Sequence, residues 1–288
     1  MRSVAIFSPA KVNLFLKVLG RRSDGYHEIV TLFHRISIGD RLILRKIEAP
    51  AFRLITDHPR LQSVKGNLIY QAYQLLRKAT SWKGGVEVQL KKRIPLEAGL
   101  GGGSSNAAHF LLGMNRLFRL GLSRNQLAHL AARLGSDSAF FIYGVNQALG
   151  TGKGEKIKPL RSKKRFWFAL VTLKKGIPTP KVYKGLRSPR LTRISHAVTI
   201  TSALFAHCKR GDEDRILYND LYPVSCFFRP ELKRTALIFE EIGAHQWLMS
   251  GSGPTMFSIH RSKRAAERTA KLLHSKIQKA DVFVCSTY

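Results

Sequence analysis

Residues Pro95 to Ala108 read PLEAGLGGGSSNAA, and within them four glycines, Gly99, Gly101, Gly102 and Gly103, run into Ser104, Ser105 and an apolar-periodic stretch. A helix that opens this way points its first amides at the preceding loop, where the helix dipole favours an anion. Glycine lets a phosphate oxygen approach where a Cβ would block it, and the two serines can donate hydroxyls to phosphate or to metal-bound oxygen. N-capping is the plain alternative for either serine, and the two readings stand level. The run lacks the GxxxxGK[ST] spacing of a Walker A loop and the GxGxxG spacing plus downstream acid of a dinucleotide fold.

Other residues carry chemistry only in combination. Lys11 and Asn13 stand two apart at the start of a strand pattern, so both side chains leave one face. Asp137 follows Gly135-Ser136, where an N-cap is its simplest role, and Asn67 after Gly66 could cap the helix it begins. Tyr26-His27 leave a turn at Asp24-Gly25 and suit hairpin packing, while Tyr183 alone reads as half-buried core. The glycines of Ser250-Gly-Ser-Gly-Pro-Thr255 permit either a tight turn or a close backbone approach.

Taken together, the motifs resemble the GHMP kinase superfamily, whose second motif has the core P-x-x-x-G-L-G-S-S-A. The extra glycines point to one branch, similar along nearly the whole chain through Ser8-Pro-Ala-Lys-Val-Asn-Leu-Phe-Leu16, Arg22-Ser-Asp-Gly-Tyr-His27, the glycine loop, Leu134-Gly-Ser-Asp137, Ile177-Pro-Thr-Pro180, Asn219-Asp-Leu221 and Ser250 to Thr255. The resemblance implies transfer of the ATP γ-phosphoryl group, with Mg²⁺ on the phosphates, to the 2-hydroxyl of a cytidine diphosphate methylerythritol. That reaction belongs to the non-mevalonate route to isoprenoid precursors.

On the same resemblance, Asp137 is the general base and Lys11 holds it ionised and polarises the hydroxyl. Asn67, Pro95, Gly99, Leu100, Gly101, Gly102, Gly103, Ser104 and Ser105 would hold the nucleotide. Asn13, Tyr26, His27, Thr179 and Tyr183 would hold the cytidine diphosphate end, with an aromatic pair sandwiching the base. No protein metal site is expected. The chain departs from the branch at Glu97-Ala98, where further glycines are usual, and at Ser138-Ala-Phe-Phe141, where an apolar-proline run is usual.

The elements that must position these residues alternate first in the manner of strands: 4–7, 13–18, 29–38 and 41–45, broken by Gly20, Asp24-Gly25 and Gly39-Asp40. Helical spacing follows over 67–79, then a strand at 85–90, a helix from Ser104, and another opened by the capping box Ser123-Arg-Asn-Gln126 and stopped at Gly135. Beyond the turn Gly150 to Gly154 come a strand at 166–173, helices near 195–208, 230–242 and 263–275, and strands near 247–250 and 281–285. The pattern is α+β. By resemblance the architecture is an N-terminal domain of ribosomal-protein-S5 type, residues 1–155, and a C-terminal substrate-binding domain, residues 156–288, with the site in the cleft they form.

Composition sets the outer bounds. The chain has 288 residues, 44% of them hydrophobic, enough for a substantial core. It lacks an apolar run of bilayer length and an N-terminal secretory pattern, so a cytoplasmic enzyme with no membrane partner is expected, monomeric or weakly homodimeric. Cys208, Cys226 and Cys285 lie far apart and suggest reduced thiols. The 49 Lys+Arg against 18 Asp+Glu leave a formal charge of +31, which draws attention to nucleic acid. The basic residues are scattered in twos and threes, as at Arg21-Arg22 and Lys91-Lys92-Arg93, which favours a solvated surface over a nucleic-acid arm.

Overall fold

Four short strands expected in the first third are two long ones, β1 (Ser3–Arg21) and β2 (His27–Ile47), joined by the single turn at Arg22 to Tyr26. Gly39 does not break β2. A Cβ there would lie 2.4 Å from the Phe7 ring, so this glycine admits a neighbour and makes no turn. A computed structural model describes residues 2–161, 164–186 and 195–288.

The chain divides into two units whose segments interleave: Met1–Ala10, Ile38–Ile94 and Gly101–Gly144 in the first, Lys11–Ser37, Pro95–Leu100 and Val145–Tyr288 in the second. Strands β1 and β2 are each long enough to run through both units.

In the first unit β2 pairs antiparallel with β4 (Gly85–Lys91), and β3 (Phe52–Thr56) runs parallel to β4 at the edge. Leu42, Leu44, Val86, Val88 and Leu90 turn to one face and are buried. Helices α1 (Leu68–Ala79), α2 (Gly102–Phe118), α3 (Arg124–Ala132) and α4 (Ser138–Tyr143) complete the unit. In α1, Ile69, Ala72, Tyr73 and Leu76 recur on one buried stripe. Gly113 lets α2 lie close on the sheet, since a Cβ there would stand 2.4 Å from both Ile6 and Leu44. The capping box at Ser123 and Gln126 forms as the sequence predicts.

In the second unit β8 (Tyr218–Asn219) pairs parallel with β1, and β5 (Gln147–Thr151) joins β2 to β6 (Lys156–Leu160). A separate antiparallel sheet has the order β11 (Ala280–Ser286), β7 (Trp167–Leu173), β10 (Thr255–His260), β9 (Trp247–Met249). Helices α5 (Thr179–Lys184), α6 (Ser195–Arg210), α7 (Tyr222–Phe228), α8 (Glu231–Glu241) and α9 (Lys263–Lys276) accompany it. Its core gathers Ala169 and Val171 of β7, Leu232 and Phe239 of α8, and Leu273 of α9. Among the described residues no helix is long and apolar enough to cross a membrane.

Candidate functional site

The glycine loop belongs to both units, the chain crossing from the second to the first at Leu100 and Gly101. In the first unit Gly101 sits at φ 68° as the N-cap of α2. Ser105 N–H closes the first helical bond onto the Gly101 carbonyl at 2.8 Å, which leaves the amides of Gly102, Gly103 and Ser104 without intrahelical acceptors. That is the amide cluster an anion needs. A Cβ on Gly102 would crowd Ile94 at 2.9 Å and the Lys92 ammonium at 3.1 Å.

The two serines part company. Ser104 is partly exposed, and its hydroxyl lies 3.0 Å from where a Cβ of Gly135 would stand, so Gly135 is kept small by packing and not by a helix stop. Helix α3 in fact ends at Ala132. Ser105 is fully buried. Its hydroxyl donates to the Pro9 carbonyl at 2.6 Å and lies 2.8 Å from the Ser8 hydroxyl, which itself donates to Asn106. Ser105 therefore ties α2 to β1, with its hydroxyl proton committed to the Pro9 carbonyl inside the core.

Asn67 caps α1, accepting from the Ile69 amide at 2.9 Å. Asp137 stands at the N-cap position of α4 but makes no side-chain cap bond, so capping does not account for this carboxylate. Sequence reasoning missed the Asp40–Lys92 pair, 2.5 Å apart and buried on both sides. Asp40 also accepts from the amides of Arg93 and Ile94, at 2.7 and 2.8 Å, and so fixes the approach to the glycine loop. Burial draws the Lys92 pKa down while Asp40 opposes the fall.

In the second unit Lys11 and Asn13 do share a face of β1. Lys11 is 3% exposed, and its ammonium donates to Asn13 Oδ1 at 2.6 Å and to the Gly99 carbonyl at 3.0 Å. Asn13 Nδ2 donates to Thr31 Oγ1 at 2.7 Å, and Thr31 donates on to the Phe15 carbonyl. Gly99, at φ 73°, admits Ser250: a Cβ there would stand 2.1 Å from the Ser250 carbonyl oxygen. Ser250 Oγ donates to the Gly99 carbonyl at 2.9 Å. Leu100 is buried and Pro95 half-buried, so both shape the loop from within.

The residues expected at the cytidine end also lie in this unit. His27 and Tyr183 are ring neighbours, with centroids 5.2 Å apart and planes inclined by 34°. Burial, reinforced by Arg21, lowers the His27 pKa and keeps the imidazole neutral near pH 7. Tyr26 is 52% exposed, with the Lys153 ammonium 4.3 Å from its ring centroid. Thr179 pairs its hydroxyl with Ser252 at 2.9 Å. The turn carrying Tyr26 is held by Glu28, not singled out in the sequence, which accepts from Arg22 at 2.6 Å and from the Gly152 amide at 3.0 Å. Among the described residues no three His, Cys, Asp or Glu gather to hold a metal.

Residues 67–145 match the family described as GHMP kinases N terminal domain. The α+β chain has the GHMP kinase fold: it is similar over 99% of its length to a crystal structure of L. major mevalonate kinase in complex with R-mevalonate, with a TM-score of 0.76 at 17% identity. Nearer relatives narrow the class. The chain is 38% identical over 261 residues to 4-diphosphocytidyl-2-C-methyl-D-erythritol kinase of Bacillus cytotoxicus, covering 89% of this chain and 88% of that one. It is 39% identical over 267 residues to the enzyme of the same name from Shouchella clausii, covering 92% and 88%. A crystal structure of 4-(cytidine 5'-diphospho)-2C-methyl-D-erythritol kinase matches with a TM-score of 0.78 and 34% identity over 98% of both chains. The chain belongs to the 4-diphosphocytidyl-2-C-methyl-D-erythritol kinase family.

Proposed function

We propose that this protein transfers the γ-phosphoryl group of ATP to the 2-hydroxyl of 4-diphosphocytidyl-2-C-methyl-D-erythritol, giving the 2-phosphate and ADP in the non-mevalonate pathway to isoprenoid precursors. The carrying observation is near full-length similarity to kinases of that name at 38–39% identity. The buried Lys11, tied to Asn13 and Gly99, supports the reading locally, because phosphoryl transfer depends on positioned positive charge more than on covalent chemistry.

In this reading Asp137 removes the proton of the attacking hydroxyl, and Lys11 stabilises the negative charge that develops. The amides of Gly102, Gly103 and Ser104 hold phosphate oxygens, with Asn67 toward the adenine. Mg²⁺ carried with the nucleotide would neutralise its phosphates, and the Ser104 hydroxyl would be the loop side chain that reaches the same oxygens. Tyr26, His27, Thr179 and Tyr183 hold the cytidine diphosphate end, a neutral His27 being suited to pair with a base edge. The enzyme acts in the cytoplasm, as a monomer or weak homodimer, which sedimentation of the active protein would check.

The test is turnover on a panel of alcohols. The cytidine diphosphate substrate should be phosphorylated, and Asp137→Asn should lower kcat by roughly 10² or more with folding and ATP binding kept. Phosphorylation of a sugar but not of the cytidine substrate would overturn the proposed acceptor, and near-normal turnover in the variant would remove Asp137 from its role.

A further inference from the structure

Asn219 ends the two-residue strand β8, bridged in parallel to Leu16 of β1, and is 7% exposed. Its Nδ2 donates to the carbonyls of Met249 at 2.7 Å and Gly251 at 2.8 Å, while its Oδ1 accepts from the Leu221 amide at 2.9 Å. The amide thus spends both donors and one acceptor position on backbone. Its neighbour Asp220 fixes β8 against β1 by accepting from the Val18 amide at 2.7 Å.

Of the two carbonyls held by Asn219, that of Met249 precedes the turn beside Lys11 and that of Gly251 lies within it. That turn closes with Gly253 N–H on the Ser250 carbonyl at 2.9 Å, and Ser250 Oγ reaches the Gly99 carbonyl that also accepts from Lys11. Gly251 sits at φ 55°, and a Cβ on it would stand 3.3 Å from the Gly99 oxygen, 3.4 Å from Asn13 Oδ1 and 3.5 Å from Lys11 Nζ. The path from the Asn219 amide to the Lys11 ammonium therefore runs through one backbone segment.

We propose that Asn219 is a positioning residue for phosphoryl transfer: by gripping the carbonyls of Met249 and Gly251, it seats the 250–253 turn on Gly99, Asn13 and Lys11 and so fixes the ammonium. This rests on the kinase reading above. A donor pair is required for the grip, since two carbonyl oxygens converge on Nδ2. Aspartate has the same shape and keeps an acceptor for Leu221 N–H, but sets a carboxylate oxygen against both carbonyls.

Two variants, Asn219→Asp and Gly251→Ala, test this from opposite ends of the segment. Both should lower kcat roughly 10- to 100-fold, the scale of an ångström misplacement, with KM for ATP and for the cytidine diphosphate substrate within about threefold of wild type. A merely structural asparagine would lower the melting temperature and leave kcat per folded molecule unchanged, which overturns the proposal. Should Asn219→Asp fail to fold, Gly251→Ala decides alone, and full kcat in it is likewise fatal. Wild-type protein inactive on the cytidine substrate would sink the kinase reading instead, so the two failures are distinguishable.

Discussion

The Lys11 ammonium and the Asn13 side-chain oxygen lie 2.6 Å apart, with Asn13 braced from behind by Thr31 at 2.7 Å. An ammonium has three donors and no preferred plane, so its direction is set by whatever accepts from it. Lys11→Met should cost about 10² or more in kcat, and Asn13→Ala roughly tenfold or more through a misdirected ammonium. Because both remove one unit, the double variant should lose little beyond Lys11→Met alone. Steady-state kinetics on the three proteins check this, and multiplicative losses would show that the two residues act separately.

Glu97 adopts φ 53° in the glycine loop, a left-handed conformation that costs a non-glycine residue about 1 kcal/mol. Its side chain is exposed. Glu97→Gly should accordingly raise the melting temperature by about 2 °C, with KM for ATP unchanged. A clear fall in that KM would mean the carboxylate repels the phosphates in the wild-type protein.

His34 is wholly buried, its Nε2 accepting from the Gln147 amide at 2.8 Å, and burial pushes its pKa from the ordinary 6.5 down to about 3. Below pH 6.5 the unfolded chain takes up a proton that the folded protein refuses. Stability is therefore full above that pH and lost as pH falls toward 3, by about 1.4 kcal/mol per unit. Urea unfolding between pH 7.5 and 5.5 should show wild type losing roughly 1 kcal/mol more than His34→Gln. Parallel curves would mean that this histidine takes up its proton in the fold.

Helices with a clear apolar stripe, such as α1 and α9, were legible because periodicity is a local signal. Three glycines that read as breaks in the sequence serve contact and not turning. Gly39 makes room for Phe7, Gly135 for Ser104, and Gly150 lies inside β5, where a Cβ would stand 2.6 Å from the Phe33 ring. No local pattern distinguishes that use, since the partner is remote in sequence. The short helices α4, α5 and α7 escaped for the related reason that six or seven residues carry too little periodicity. That Lys11 and Asn13 share a face followed from strand alternation, whereas the commitment of Ser105 to Pro9 and of Asn219 to Met249 and Gly251 depends on tertiary neighbours.

Strands β1 and β2 are threaded through both units, so neither unit corresponds to any single stretch of chain. A gene fragment beginning at residue 156 would lack β1, β2 and β5, leaving β6 and β8 without the strands they pair with. A fragment ending at residue 155 would carry the Lys11 to Ser37 part of both long strands without most of its own unit. Limited proteolysis would thus be expected to yield no autonomous half, and thermal melting to be one concerted event.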